Sequence, residues 1–199
     1  MTPMQARRLA RQRLSDERFI HSECVAAAAG TLALRFGADR DRAVTAAWLH
    51  DILKEEPKEL LLQRMQSSDI MRDEEIIPND ALWHSYAGGI YVLEELCLDR
   101  EIADAVMYHT AGRSGMSLLE KVIFLSDYIS EDRDYRGVDE VRELAEHSLD
   151  EACLMALRNA IVHICKLGRH IDINSVRAFN ELVGDRSIKL HGKEKERET

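Results

Sequence analysis

Ligand-type side chains fall at five places along the chain of 199 residues: His21, the adjacent pair His50-Asp51, His84, His109 and Asp127. Asp127 sits inside the apolar run Val122-Ile123-Phe124-Leu125-Ser126-Asp127-Tyr128-Ile129. Each place lies on or beside a segment of helical, core-seeking character, where an ionisable side chain costs free energy unless it is paired or bound to metal. Imidazoles and carboxylates on facing helices can converge on a cation. A mixed N/O shell suits iron, manganese, nickel, cobalt or zinc better than magnesium. Taken singly, each residue has a plainer reading. His21 shares a helical face with Val25, Ala28, Ala29 and Leu32, as a hydrogen-bonded core histidine would. His50 can be a buried ring beside a charge in a last helical turn, and His84 and His109 can be surface residues. Asp127, amid Phe124, Leu125 and Tyr128, needs a partner. Jointly, five helices each bringing such a residue to an apolar face point to a metal site. His147, His163 and His191 lack that context and read as structural or solvated.

The elements that must position these residues are helices; no convincing strand alternation occurs. One helix is expected from Ser15 or Asp16 to Phe36, ended by Gly37 as a C-terminal cap. Asp39 caps the next, whose Ala43, Ala46, Ala47 and Leu49 lead into His50-Asp51. Those two neighbours point about 100° apart, so they can grip one centre from two sides near a helix end. Pro57 fits the first turn of a short helix to Met65, and Ser67 to Asp80 reads as a loop. Asn79 or Asp80 caps a helix to Leu96, and Asp99 one ending near Thr110. Ser117-Leu-Leu-Glu120 is a capping box opening the helix that bears Asp127, and Ser148-Leu-Asp-Glu151 opens a long helix to Leu167. A last short helix spans Ser175 to Val183. The fold class is all-α, a helical bundle in a single domain over residues 1–191; the charged tail 192–199 lacks apolar anchors and is expected to be disordered.

Composition agrees: hydrophobic residues are 45%, Pro only 3 and Gly 10, and a chain of this length buries a substantial core. The formal net charge of −9 is unevenly spread. Residues 1–18 carry five basic and two acidic groups, and 186–199 carry five and three, which leaves −14 on the body between them. Such a body repels phosphate backbones, so no nucleic-acid partner is expected; an anionic substrate has to be held locally. No apolar stretch approaches the ~20 residues that span a bilayer. The four cysteines (Cys24, Cys97, Cys153, Cys165) show no CxxC spacing and read as reduced, buried small side chains, with the cytoplasm as the expected location.

The order His21, His50-Asp51, Asp127 resembles the HD superfamily of metal-dependent phosphohydrolases. Finer strings resemble one branch of it: His21-Ser22 with Val25-Ala26, then Ala47-Trp48-Leu49-His50-Asp51-Ile52-Leu53-Lys54. Further matches are Leu82-Trp83-His84-Ser85-Tyr86-Ala87-Gly88, then His109-Thr110-Ala111-Gly112, Met116-Ser117 with Leu119-Glu120, and Ser126-Asp127-Tyr128-Ile129 leading to Arg133. These look like the bacterial YqeK family, symmetrical diadenosine tetraphosphate hydrolases, over residues 15 to 182. Where that family usually carries Glu after Ile, this chain has Ser130, with the acidic group displaced to Glu131.

The resemblance implies an HD-domain bundle and an enzyme that cleaves diadenosine tetraphosphate into two ADP. It makes His21, His50, Asp51 and Asp127 the metal ligands, with Asp51 bridging if two ions bind. The expected cofactor is a transition metal, iron first, with manganese, cobalt, nickel or zinc as alternatives. His84 and His109 either complete a second metal position or donate to phosphate oxygens. Lys54 and Arg133 would neutralise charge developing on phosphoryl oxygens, so the catalytic set is Asp51, Lys54, His84, His109 and Arg133. The substrate is expected to touch His21, Asp51, Ile52, Leu53, Lys54, His84, His109, Thr110, Asp127 and Arg133. The segment His170, Ile171, Asp172, Ile173, Asn174 and Ser175 would embrace the nucleoside. Two other readings stay open: an HD-type nucleotidase or phosphodiesterase acting on another nucleotide, and a nucleotide-binding regulator without turnover. The partner is a nucleotide in each case, and a homodimer is compatible with all of them.

Overall fold

Helix ends fall where the capping chemistry puts them in most of the chain. A computed structural model describes residues 1–70 and 80–195, with side chains as far as Gly184. Helix α1 (Pro3–Arg13) starts with a complete capping box between Thr2 and Gln5. It was not legible in the sequence because only Ala6 and Ala10 of its eleven residues are fully buried, too thin a stripe to stand out among four arginines. Ser15 accepts from the Arg18 N–H to open α2 (Asp16–Phe36), and Gly37 closes it at φ +78°, a left-handed cap that favours glycine. Asp39 caps α3 (Arg40–Leu49), which stops at His50 and gives way to a run of turns. Next come α4 (Lys58–Ser67), a short 3-10 turn over Asp80–Leu82, and α5 (Trp83–Glu94). The loop expected between Ser67 and Asp80, and Asn79 as a cap, lie over 71–79 outside the described residues.

Helix α6 (Arg100–Met107) ends two residues before His109. The Ser117–Glu120 box opens α7 (Leu118–Ile129) as expected. A second unforeseen helix, α8 (Val138–Ala145), hides its short stripe Val138, Val141 and Ala145 against the body. Ser148 opens α9 (Leu149–Lys166). The last helix, α10 (Ile173–Lys195), is longer than expected at both ends. It overlaps the tail expected to be disordered over 192–195, and residues 196–199 lie outside the described residues. Among the described residues there is no strand, and no helix is long and apolar enough to cross a membrane.

Helix α2 lies along α3 and α7; α3 also packs on α1 and α6; α5 packs on α6; and α9 ties α7, α8 and α10 together. Leu32, Leu49, Ile90, Met107, Ile123 and Leu125 fill the centre at 2% exposure or less, each worth ~1.5–3 kcal/mol of burial. Alanines Ala43, Ala46 and Ala47 on α3 are fully buried and let α2 and α3 approach closely. Helices α5 and α6 meet tightly at Gly89, where a Cβ would stand 2.5 Å from the Cβ of Met107. No other residue fits there without moving α5 off α6. That contact sets the spacing of the helices that carry His84 and His109.

Candidate metal centre and active site

Five elements converge on one buried point. His21 comes from the second turn of α2, His50 and Asp51 from the end of α3, His84 from the start of α5, His109 from just past α6, and Asp127 from the last turn of α7. His21, His50, Asp51, His84 and His109 are all 5% exposed or less. The rings of His21, His50, His109 and His84 form a chain with centroids 5.3, 5.0 and 5.3 Å apart.

The hydrogen bonds at the outer edge of this cluster determine where the ring protons are. His50 Nδ1 stands 2.6 Å from the Ala47 carbonyl oxygen, and His109 Nδ1 2.7 Å from that of Val106. A carbonyl only accepts, so each Nδ1 holds the proton and donates it, and each Nε2 turns a lone pair inward. His21 repeats the arrangement with a carboxylate, its Nδ1 lying 2.7 Å from Asp132 Oδ2. Such outer partners fix the tautomer and aim of metal-binding imidazoles. Inside, His50 Nε2 is 3.3 Å from His21 Nε2, which in turn is 3.0 Å from Asp127 Oδ1. His84 and His109 Nε2 lie 3.1 and 3.6 Å from Asp51 Oδ1, yet that buried oxygen has no hydrogen bond. Inward lone pairs beside a bare carboxylate oxygen are what a cation satisfies. Ligand atoms of His21, His50 and Asp127 lie within 4.8 Å of one another, and so do those of His50, Asp51 and His109. The donor set is right for a transition metal, and His50 belongs to both groups.

The electrostatics divide the cluster. Burial pushes His50 and His84 down to about 4, overriding the opposing pull of Asp51. Burial also works against His21, but contacts with Asp127 and Asp132 raise it above its ordinary value. Asp51 and Asp127 titrate below the usual carboxylate range despite burial, held there by facing imidazoles and, for Asp127, by Arg133.

The HD domain family matches residues 18–132, the stretch that bears every one of these histidines and aspartates. The chain is 40% identical over 174 residues to a symmetrical bis(5'-nucleosyl)-tetraphosphatase of Bacillus subtilis, covering 87% of this chain and 93% of the relative. A protein of the same description from Halalkalibacterium halodurans is 34% identical over 89% of this chain and 95% of its own length. The chain belongs to the HD-domain family of symmetrical bis(5'-nucleosyl)-tetraphosphatases. Its fold is similar to the crystal structure of a predicted HD superfamily hydrolase involved in NAD metabolism from Clostridium acetobutylicum. The TM-score is 0.86 at 32% identity, covering 91% of this chain and 96% of that one.

Within this tetraphosphatase-family site, Lys54 and Arg133 flank the cluster on opposite sides. Lys54 Nζ lies 3.0 Å from His84 Nε2 and 3.7 Å from Asp51 Oδ1. Arg133 donates through Nη2 to the Asp127 carboxylate and through Nε to the Asp127 carbonyl at 3.0 Å. It therefore binds the centre and not the neighbouring loop acids. A cleft of about 780 Å³ opens beyond Arg133, with His109, Thr110 and Asp127 on its inner wall. His163, read from sequence as structural or solvated, lines it too.

Other expected contacts are placed differently. Ile52 and Leu53 are 2% exposed each and belong to the core, away from the cleft. His170 to Ser175 do not line the cleft. There Asp172 accepts from Tyr86 Oη at 2.6 Å and from the Asn174 N–H, while Ser175 Oγ donates to the Ala111 carbonyl. That bond fastens the start of α10 beside Thr110. Two residues were missed. Arg18 Nη1 reaches Asp51 Oδ2 at 3.3 Å, one turn before His21 on the same face of α2, a spacing that could have exposed it. Asp132 orients His21 from a loop, and nothing in its local sequence separates it from Glu131 or Asp134.

Proposed function

We propose that this protein is a metal-dependent hydrolase that cleaves diadenosine tetraphosphate between its two central phosphates to give two ADP. The observation that carries the reading is the buried Asp51 Oδ1 with no hydrogen bond, in a cluster where His50, His109 and His21 donate outward to Ala47, Val106 and Asp132 and turn their Nε2 lone pairs inward. Membership of a family named for symmetrical tetraphosphate cleavage supplies the substrate class.

His21, His50, Asp51 and Asp127 would hold the metal, iron first among transition metals, with His109 available to a second ion. When bound, the metal supplies Lewis-acid activation of water and of a phosphoryl oxygen. The chain's own residues do the rest. Arg18 and Lys54 on one flank and Arg133 on the other place fixed positive charge along a phosphate chain that runs across the centre. The bifurcated hold of Arg133 on Asp127 keeps its guanidinium aimed before substrate arrives. His84, neutral and beside Lys54, can accept a hydrogen bond from the ammonium and steer it toward phosphate. Thr110 Oγ1, buried with no hydrogen bond in the protein, is a free donor on the cleft wall. The nucleoside role of His170 to Ser175 rests on the Ser175–Ala111 bond beside Thr110 and on Ile173, 56% exposed at the segment's edge. The cysteines are free, Cys97 and Cys165 among them exposed, which favours a reducing compartment such as the cytoplasm.

Product analysis with each metal in turn tests the reading. ADP alone is expected. AMP with ATP in equal amounts would mean attack at an outer phosphorus and would end the symmetrical assignment.

A further inference from the structure

The cleft beyond Arg133 is larger than the catalytic cluster needs, and its outer wall has a composition of its own. From α7 comes Tyr128, from the loop that follows it Tyr135 and Arg136, and from α9 Asn159, His163 and Lys166. The two tyrosine rings stand nearly perpendicular, with centroids 5.2 Å apart at 83°, and the Tyr135 hydroxyl donates to the Tyr128 carbonyl. That bond fixes the ring of Tyr135, which is still 38% exposed. Arg136 and Lys166 add two cations to the cleft that Arg133 also lines, in a body whose net charge is −14. An aromatic surface that is rigid and open, beside a group of cations continuous with a phosphohydrolase centre, has the chemistry of a nucleotide site. A volume of about 780 Å³ is within the range of small-molecule pockets.

We infer that this cleft binds the second nucleoside diphosphate half of the dinucleotide, the one that departs across Arg133. The phosphates lie along Arg133, Arg136 and Lys166, and the base stacks on Tyr135. The inference rests on the hydrolase reading and deepens it. Symmetrical scission requires the protein to count two phosphates on each side of the centre. Lys54 and Arg18 serve one side and do not line the cleft; Arg136 and Lys166 serve the other. Selectivity for a dinucleoside over a mononucleotide then comes from α9 and the loop after α7, not from the metal ligands.

Calorimetric titration of the manganese-loaded protein with ADP, alongside steady-state kinetics on diadenosine tetraphosphate, tests it. The wild type should bind two ADP per chain. Tyr135→Ala and Lys166→Glu should each retain one site, lose the other, and raise KM about tenfold, the scale of one base–aromatic stack, with a smaller change in kcat. Tyr135→Phe should keep both sites, the second weaker than in the wild type but tighter than in Tyr135→Ala, because the stacking ring stays while its hydroxyl tether to Tyr128 is lost. Lys166 is exposed, so its variant reports on binding without disturbing the core. Two ADP sites and an unchanged KM in both variants would overturn the inference. A wild type that turns over no diadenosine tetraphosphate, yet loses one of two ADP sites on substitution, would overturn the hydrolase reading and support the cleft.

Discussion

Two carboxylates face each other across the centre of this molecule, and they are held in opposite ways. Asp127 is tied to the chain: Arg133 donates to its carboxylate through Nη2 and to its carbonyl through Nε. Asp51 is buried more deeply, yet its Oδ1 has no hydrogen bond and Arg18 reaches only Oδ2. A buried acceptor with no partner costs ~1–3 kcal/mol, more when charged. His109 cannot offset it while its proton is held by the Val106 carbonyl. The Asp127 side therefore assembles from the chain's own charges, whereas the Asp51 side is built for a cation the chain does not supply.

The largest expected effect comes from removing that asymmetry. Asp51→Asn should abolish turnover, by at least on the order of 10³-fold, above the scale of a single lost transition-state donor. The metal-free variant should nevertheless lose less Tm than Asp127→Asn, because the Asp51 Oδ1 it replaces has no hydrogen bond to lose. Asp127→Asn should also lose turnover, but should lower the metal-free Tm, since it strips Arg133 of its partner. Calorimetric melting with chelator present separates them. Equal Tm changes in the two variants would remove the contrast.

Arg133 comes next. Arg133→Ala should lose on the order of 10²-fold in kcat while retaining its metal, and Arg133→Lys should recover only part, because an ammonium lacks the planar fork that spans the carboxylate and carbonyl of Asp127. Unchanged kcat and KM would make Arg133 a structural tie alone.

Most of this arrangement is written in local patterns. The ligand-type residues could be read because each is an ionisable group in an apolar helical run, an anomaly visible within one turn of sequence. The helix ends could be read wherever Ser, Thr or Asp caps met an apolar stripe, as at Ser15, Asp39, Asp99 and Ser117. Helices α1 and α8 could not, since their buried stripes are two or three small residues long among charges. Arg18 and Asp132 escaped for a related reason: their neighbours are charged too, and only the folded geometry picks out the one that reaches the centre. The cleft was invisible because Tyr128, Tyr135, His163 and Lys166 are brought together by α9 packing on α7, a tertiary fact with no short-range signature.

Asp132 offers a smaller test of the Asp127 side. Asp132→Ala removes the acceptor that holds the His21 proton on Nδ1, and metal affinity should fall 10–100-fold, the usual cost of losing such an outer partner. Turnover at saturating metal should stay within a fewfold of wild type. Competition against a chelating dye measures it. An unaltered affinity would mean that α2 packing alone orients His21.

The smallest effect is in the pH dependence of the metal-free protein, where the two sides should pull in opposite directions. On the Asp51 side, burial lowers His50 and His84 from the ordinary 6.5 to about 4. A histidine depressed in the fold binds its proton more tightly when unfolded, so stability is complete above 6.5 and is lost as pH falls toward 4. Each ring contributes on the order of 3 kcal/mol to that loss if the full shift is realised. On the Asp127 side His21 is raised, so its contribution is present below 6.5 and disappears as pH rises through its folded value. Protonation there puts a hydrogen on Nε2 facing Asp127 Oδ1, where a cation would otherwise sit. The raised ring acts above 6.5 and the two depressed rings below it, so the metal-free Tm should fall between pH 6.5 and 4. Asp51 and Asp127, both lowered, withdraw their own stabilisation only below that window. His21→Gln should leave that fall unchanged and remove the loss of Tm above pH 6.5, whereas His84→Gln should flatten the fall. A metal-free Tm that is level across this window, or that His21→Gln flattens, would show that the two sides are not electrostatically distinct.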